Sequence, residues 1–321
     1  MSTIAVDAMG GDSAPEEVVK GAILAKKEGV DVILSGDENL IKSYLGNEKI
    51  PVINYPQVIS MDDDPAKAIR SNKDSSIIGA LNLVKEKKAD AVFSAGSTGA
   101  TLIGAISVLG KIKGVTRPTI ASVLPGKEKE VILVDSGANL EVKPKVLYQF
   151  AIMGSKLSEL LFDIENPRIG LINNGEESSK GRELEKATFK LLKSSQLNFI
   201  GNVEGKDFAN SKVDVFVTDG FTGNVVLKTL QGVAKLQQDL ISKSLKENLF
   251  KPLLIPVKNA ISPVKSMLNP NSTNGSYLLG VNGLVIIGHG SSNSEAIKNA
   301  LLFTSRAVEK RFINKFTEVS T

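Results

Sequence analysis

Residues 213–229 read VDVFVTDGFTGNVVLKT, and this stretch contains the unit from which the fold can be predicted. Val213–Val217 is a nearly continuous apolar run, which is typical of a strand buried on both faces of a parallel sheet. Thr218–Gly220 interrupts the run, and a helical pattern begins at about Gly223. The stretch therefore predicts a strand, a polar loop and a helix in succession.

The same unit recurs along the chain and predicts the fold class. Short apolar runs alternate with amphipathic stretches, which indicates βαβ units and a largely parallel sheet covered on both faces. The predicted strands are Ile4–Val6, Val32–Leu34, Ala91–Phe93, Val131–Val134, Ile169–Ile172, Val213–Val217 and Leu284–Ile287. The predicted helices cover about residues 15–28, 75–87, 98–112, 144–162, 180–194, 223–246 and 293–312. No linker is evident, so we predict a single α/β domain over residues 1–321.

The composition disfavours several functional classes. The net charge of +4 is mild for 321 residues, and only 5% of them are aromatic, which argues against a nucleic-acid-binding protein. The chain has no cysteine, which excludes disulfides, thiolate catalysis and cysteine metal sites. The N-terminus lacks a signal-peptide pattern, and no apolar run approaches about 18 residues. We therefore expect a soluble protein that can still touch a membrane surface.

Residues 241–274 break the alternation. They mix large apolar side chains with lysines, and Pro252, Pro256 and Pro263 prevent one straight helix. We predict a bent helical hairpin that protrudes from the main body. Its base is expected to pack against a second copy of the chain, and its basic amphipathic tip to bind an anionic membrane or an acidic protein. The expected contact residues are Lys251, Leu253, Leu254 and Lys258.

Six polar loops each follow an apolar run and precede a helical pattern. They are residues 7–12, 94–99, 135–139, 173–181, 219–224 and 288–292. In an open parallel sheet, ligands bind beyond the carboxyl ends of the strands, where helix N-termini present N–H groups that suit phosphate. One such loop is commonly a connector, but six on one rim predict a polar cleft. None matches a Walker P-loop or G-x-G-x-x-G, which disfavours nucleotide triphosphates and dinucleotides.

His289 is the only histidine of the chain and lies between two glycines in the last of these loops. Its ordinary pKa suits proton transfer or anion binding, although a lone histidine is commonly structural. Asp7, Asp12, Asp135 and Asp219 end or follow strands, and such acids can bind a metal or position a substrate, but commonly only cap backbone groups. Without clustered histidines or a D-x-D pattern, we predict neither a metal site nor a cofactor.

Taken together, the loops resemble a known family. VDAMGGD (6–12), SAGSTGA (94–100), DSGAN (135–139), TDGFTGNVVLKT (218–229), LLGVNGL (278–284) and GHGSS (288–292) occur in the order found in the bacterial phosphate acyltransferases of phospholipid synthesis, the PlsX family. The resemblance extends from Ile4 to about Phe312. Several separate motifs in the right order make it specific.

The resemblance implies an acyltransferase that forms acyl phosphate from acyl-acyl carrier protein and inorganic phosphate in fatty acid and phospholipid biosynthesis. It implies a three-layer α/β/α fold similar to isocitrate and isopropylmalate dehydrogenases and phosphotransacetylases. It also implies a cytoplasmic homodimer that associates peripherally with the membrane, where a glycerol-3-phosphate acyltransferase uses the product. The alternatives are an NAD-dependent decarboxylating dehydrogenase of this fold, for which arginines near the loops are scarce, and a non-enzymatic peripheral membrane scaffold.

The resemblance also gives the loop residues roles. The expected catalytic residues are His289, which binds phosphate as a cation or moves a proton, Asn224, and Asp219, which orients one of these groups. The expected phosphate-binding residues are Gly96, Ser97, Thr98, Lys180, Thr222, Ser291 and Ser292, and the weaker candidates for the acyl-carrier arm are Asn139 and Asn173. The helix N-termini after residues 96–98 and 219–224 are expected to supply oxyanion donors.

The chain departs from the family pattern in details of the cleft. Ser97 and Ser136 stand where the family usually has asparagine and valine, and Ile287-Gly288 stands where it usually has lysine and alanine. Residues 271–277 replace a glycine-rich tyrosine segment. These differences concern the contacts with phosphate or the acyl carrier.

Overall fold

The computed structural model describes residues 2–247 and 275–310, together with Phe312 and Phe316. Within these residues, eleven strands form one sheet in the order β3-β2-β1-β4-β11-β10-β5-β6-β9-β7-β8. The strands are β1 (Thr3–Asp7), β2 (Asp31–Gly36), β3 (Val52–Asn54), β4 (Ala91–Ser94), β5 (Thr119–Leu124), β6 (Val131–Val134), β7 (Ile169–Ile172), β8 (Phe199–Val203), β9 (Val215–Val217), β10 (Ser276–Leu279) and β11 (Leu284–Ile287). β10 is antiparallel to β11 and β5, and β5 is antiparallel to β6, whereas the other neighbouring strands are parallel.

Helices cover both faces of this sheet. They are α1 (Glu16–Lys27), α2 (Glu38–Leu45), α3 (Pro65–Ser71), α4 (Ser76–Lys85), α5 (Thr98–Leu109), α6 (Pro144–Phe162), α7 (Glu183–Lys193), α8 (Gly220–Glu247) and α9 (Ser294–Glu309). α1, α6 and α9 pack in one buried cluster with Ile4 and Val6 of β1. α4 and α5 pack in another with Ala5. Because alternate strand residues point to opposite faces, the two clusters lie on the two sides of the sheet, and the predicted α/β/α architecture is confirmed.

Each predicted strand is present, but β3, β5, β8 and β10 were not predicted. β5 and β10 form the antiparallel centre of the sheet, and Pro125-Gly126 begins the tight connection from β5 to β6 that sequence reading missed. β3 has three partly exposed residues, and β8 contains Gly201 at a φ of +118°. The short helices α2 and α3 were also missed, because each presents too little periodic sequence to be distinguished from a loop.

Three helix starts differ from what the sequence pattern indicates. α8 begins at Gly220 rather than near Gly223, so most of the predicted 219–224 loop is helical. The side-chain cap of α9 is Asn293, which accepts from the N–H of Ala296, although Ser292 and Glu295 have capping-box spacing. α1 has no side-chain cap, although Ser13 and Glu16 have capping-box spacing. A side chain with the right spacing therefore does not always take the cap.

The predicted hairpin at 241–274 falls largely beyond the described residues. α8 covers residues up to Glu247, and Lys251, Leu253, Leu254 and Lys258 lie outside the described part of the chain. The hairpin and the single domain over residues 1–321 stay predictions. Among the helices that the structure describes, none is sufficiently long and apolar to cross a membrane.

Candidate active site

A cleft of about 330 Å³ lies where four of the six predicted loops meet. Thr98 follows β4, Ser136 and Gly137 follow β6, Asn224 lies on α8 after β9, and His289 follows β11. Antiparallel β5 and the start of β10 supply the remaining wall. The structure thus brings Thr98, Asn224 and His289 together as the sequence predicted.

α8 presents one polar face to the cleft. Asn224, Lys228 and Gln231 all line it, and their spacing of four and three residues places them on the same side of the helix. Lys228 donates to Gln231 at 3.4 Å, and the described residues offer it no carboxylate partner. The sequence analysis missed Lys228 and Gln231, although their helical spacing from Asn224 was a usable signal.

His289 is held by its own loop. Its Nδ1 lies 2.8 Å from Ser291 Oγ and accepts the N–H of Ser291 at 3.3 Å. Partial burial and the cation of Lys228 lower the pKa of His289, and the carboxylate of Asp12 opposes them. Since a backbone N–H only donates, this contact favours the tautomer with its proton on Nε2. At neutral pH the ring is then a neutral hydrogen-bond donor.

Three serine hydroxyls form a row along the cleft wall. Ser122 Oγ donates to Ser136 Oγ at 2.8 Å, and Ser136 Oγ donates to the carbonyl of Ile120 at 3.2 Å. Ser276 Oγ lies 2.8 Å from Ser122 Oγ on the other side. Each of the three lines the cleft. Ser136 is therefore part of a continuous hydroxyl network.

Asp219 has structural partners and does not line the cleft. Its Oδ1 caps α8 by accepting from the N–H of Thr222 at 2.7 Å, and its Oδ2 pairs with Arg182, which also binds Glu185. The side chain of Asp219 is only 2% exposed in this pair. The cap uses the N–H of Thr222, so this donor is not free for phosphate or an oxyanion as predicted.

Asn139 is similarly engaged by the framework. Its side chain donates to Pro118 O at 2.9 Å and to Asp135 Oδ2 at 2.8 Å. Asp135 also accepts the N–H groups of Gly137, Ala138 and Asn139 at 2.8–2.9 Å. Burial raises the pKa of Asp135, and these donors oppose the shift. Asp135 and Asn139 thus shape the loop that carries Ser136 and Gly137.

The two glycines of TDGFTGN allow α8 to approach this loop closely. A Cβ on Gly223 would lie 1.8 Å from Asp135 O, and one on Gly220 would lie 2.7 Å from the N and O atoms of Asn139. Both contacts are with backbone, which cannot easily move aside. These glycines therefore serve the packing of α8 rather than a ligand.

The remaining predicted residues lie around the cleft or away from it. Ser97 caps α5 through the N–H of Ala100 at 3.4 Å and lines, with Gly96 and Asp7, a hollow of about 10 Å³. Ser292 donates its N–H to His289 O at 2.9 Å, and so supports the same loop as Ser291. The following residues are not among those that line the cleft: Asn173, whose side chain donates to Lys180 O at 3.2 Å, Lys180 itself and Thr222.

Two acids at the strand ends, Asp7 and Asp12, lie in hydrogen-bonded contacts with neighbouring segments. Asp7 accepts from Ser94 Oγ at 2.7 Å, and burial raises the pKa of this carboxyl. Asp12 donates its N–H to Gly290 O at 2.8 Å and so joins the first loop to that of His289. Across the ranges that the structure describes, no three His, Cys, Asp or Glu side chains are grouped so as to hold a metal ion.

Comparisons with known proteins agree on one family and one fold. A family model described as fatty acid synthesis protein matches residues 2–315. A phosphate acyltransferase of Halothermothrix orenii is 43% identical over 97% of this chain and 96% of its own length. One from Pelotomaculum thermopropionicum is 45% identical over 97% of this chain and 92% of its own length.

Solved structures share the fold at low sequence identity. The EutD phosphotransacetylase of Staphylococcus aureus has a TM-score of 0.62 at 18% identity, covering 96% of this chain and 94% of its own. The 4-hydroxythreonine-4-phosphate dehydrogenase of Klebsiella pneumoniae has a TM-score of 0.56 at 13% identity, covering 95% and 99%. At such identities the likeness concerns the fold alone.

Proposed function

We propose that this chain forms acyl phosphate from acyl-acyl carrier protein and inorganic phosphate. The chain belongs to the fatty acid synthesis protein family, and the relatives described above are phosphate acyltransferases. The product would enter phospholipid synthesis. The observation that carries the proposal is the cleft that combines Lys228, for which the described residues supply no carboxylate partner, with a neutral histidine, His289. An acyl transfer to phosphate needs a cation for the nucleophile and a donor for the carbonyl oxygen.

The reaction requires no covalent enzyme intermediate. A phosphate oxygen attacks the thioester carbonyl carbon, a C–O bond forms, and the carbonyl oxygen becomes an oxyanion. The C–S bond then breaks, and the carrier thiolate takes up the proton released from hydrogen phosphate. Because phosphate is the nucleophile, the protein must hold the reactants in attack geometry and stabilise the oxyanion.

Phosphate binding is assigned to the polar face of α8 and the start of α5. Lys228 supplies the positive charge, and Asn224 an amide that the described residues leave without a hydrogen bond. Thr98 opens α5 at the opposite wall, where the helix N-terminus adds partial positive charge. α8 itself contributes side chains rather than its N-terminus, because the carboxylate of Asp219 already accepts the N–H of Thr222 there, whereas the cap of α5 is the uncharged hydroxyl of Ser97.

Stabilisation of the oxyanion is assigned to His289. With Nδ1 occupied by the N–H of Ser291, the ring offers Nε2–H as a neutral donor. The lowered pKa agrees with this role better than with a permanent phosphate-binding cation. This role differs from the two that the sequence left open for His289, which were phosphate binding as a cation and proton transfer.

The exposed surface of α8 supports the further proposal of a homodimer. Phe221, Val225, Val233, Leu236 and Leu240 are between 47% and 60% exposed and recur at helical spacing on this one helix. A second copy of the chain would cover such a stripe. Peripheral association with the membrane, a cytoplasmic location and contact with a membrane glycerol-3-phosphate acyltransferase complete the proposal, and the resemblance described above is their basis.

The direct test supplies palmitoyl-acyl carrier protein and phosphate to the purified protein and traps acyl phosphate as the hydroxamate with hydroxylamine. Reactions without phosphate and with palmitoyl-coenzyme A are the controls. Phosphate-dependent hydroxamate from the carrier thioester is expected. A folded protein that yields none from either donor would refute the transferase and leave the scaffold alternative.

A further inference from the structure

A second concavity lies apart from the cleft, between the start of α6 and the length of α7. It encloses about 1190 Å³, and five lysines line it together with a single acid, Glu183. We call it the lysine groove and define it by Lys143, Lys145, Lys186, Lys190 and Lys193. Phe189, Ala187 and Leu191 contribute apolar surface to its floor.

The charge of the lysine groove is largely uncompensated. Glu183 pairs with Lys186 at 3.3 Å, but the described residues give Lys143, Lys145, Lys190 and Lys193 no ion pair. Lys186, Lys190 and Lys193 recur at intervals of four and three residues, which sets them along one face of α7. The groove therefore carries four lysines for which the described residues supply no ion pair, beside apolar surface.

Two of these cations lie where they do not favour the fold. Lys143 is the N-cap of α6 and Lys145 lies in its first turn, which contains no acidic residue. The N-terminus of a 19-residue helix already carries partial positive charge, so lysines there are mildly unfavourable for stability. An anionic partner that binds at the mouth of the groove would explain why these two lysines are present there.

We infer that the lysine groove docks the acidic acyl carrier protein that delivers the acyl chain, an inference that rests on the proposed function. A helix with carboxylates spaced by three and four residues would match the lysines of α7, while its apolar side chains contact the floor. The concave shape favours a protein helix over a membrane, because a flat bilayer surface would not reach into a groove.

The groove is connected to the cleft along one edge of the sheet. β6 and β7 are both neighbours of β9, and α6 and α7 both begin beyond the carboxyl ends of the strands they follow. Gly137 lines the cleft and Lys143 lines the groove, and the six Cα–Cα steps that join these positions span at most about 22 Å. A carrier docked on α7 would therefore present its thioester arm toward Ser136 and His289.

The test reverses one lysine on each wall of the groove, in the double variant Lys145→Glu/Lys190→Glu. The matched control, Lys49→Glu/Lys113→Glu, changes two exposed lysines that line neither the groove nor the cleft. Each substitution removes two units of charge, so both variants change the net charge from +4 to 0. Steady-state kinetics use acyl-acyl carrier protein and, separately, the acyl thioester of pantetheine without its protein.

We expect the KM for acyl-acyl carrier protein to rise about tenfold in the groove variant at low salt, with kcat and the KM for the pantetheine thioester unchanged. The control should behave as the wild type, and high salt should weaken carrier binding to the wild type. Direct titration of the protein with fluorescently labelled carrier protein measures docking without turnover.

Three outcomes would overturn the docking site. Equal carrier binding by the groove variant and the control, with an active wild type, refutes the groove and leaves the proposed function intact. Loss of binding to anionic vesicles with carrier binding unchanged would assign the groove to a membrane. A wild type that neither binds the carrier nor uses it would refute the groove together with the carrier donor.

Discussion

The two ends of one short sequence, TDGFTGNVVLK, behave in opposite ways. In its first half, Asp219 is buried in a cap and an ion pair, and Gly220 and Gly223 press against backbone. In its second half, Asn224 and Lys228 face an open cleft, and the described residues give neither of them a carboxylate partner. Polar residues in one short sequence thus fall into two groups. Those of the framework have their hydrogen-bonding groups paired within the protein, whereas those of the cleft have groups that can still bind a ligand.

The largest effect on activity is expected from a substitution in the cleft. Replacing His289 with alanine removes the proposed oxyanion donor and should lower kcat about 10²- to 10³-fold. The melting temperature should stay close to that of the wild type, because His289 is exposed and its side chain hydrogen-bonds to Ser291 of its own loop. Hydroxamate formation and thermal unfolding measure the two properties. If the variant loses stability in proportion to its activity, His289 has a structural role rather than a catalytic one.

At the framework end, Gly223→Ala should lower the free energy of unfolding by about 3 kcal/mol, because the added methyl meets Asp135 O. Gly232→Ala on the same helix is the matched control, since nothing lies within 4 Å of its Cβ position. The control should be neutral or stabilising by up to about 1 kcal/mol. Urea unfolding of both variants checks the contrast. Equal effects would show that α8 does not press on the loop after β6.

A smaller effect on stability distinguishes a structural role of Asp219 from a catalytic one. If it caps α8 and pairs with Arg182, Asp219→Asn should destabilise the protein by about 1–2 kcal/mol while kcat changes less than about threefold. If it orients a catalytic group, kcat should fall by orders of magnitude at unchanged stability. Parallel denaturation and kinetics decide between these outcomes.

The smallest expected effect is a shift in the pKa of His289. The pKa of His289 should lie below its ordinary value, so the unfolded chain binds more protons than the folded one just below about pH 6.5. The contribution of this group to stability is therefore complete above that pH and declines as the pH falls through the lowered pKa. Because the chain has one histidine, its ring resonances can be followed by NMR without assignment. Lys228→Gln should raise this pKa, because it removes a nearby positive charge. An unchanged pKa would show that Lys228 does not act on His289.

The sequence predicted the parallel part of the sheet well for a physical reason. Strands such as β4 and β6 are continuous apolar runs because both of their faces are buried, and this signal is local. β10 reads as a serine, a tyrosine and two leucines, and its place between β11 and β5 depends on antiparallel partners distant in sequence. Pairing of this kind leaves little trace in a single segment.

The candidate site was predicted in part for a similar reason. Loop position located Thr98, Asn224 and His289, since the carboxyl ends of parallel strands share one edge. Loop composition could not separate Asp219 and Asn139 from ligand-binding residues, because caps and ligand sites use the same side chains. Lys228 was missed because it lies inside a helix. The structure shows that it lies on the same face of α8 as Asn224, a position that its spacing of four residues already indicated.

The measurement that tests the central claim most directly is the KM for phosphate in Lys228→Gln, with Lys235→Gln as the control. Both lysines lie on α8, but only Lys228 lines the cleft. We predict that the KM for phosphate rises about tenfold or more in Lys228→Gln and stays at the wild-type value in Lys235→Gln. The same KM in both variants would contradict the assignment of this cleft to phosphate.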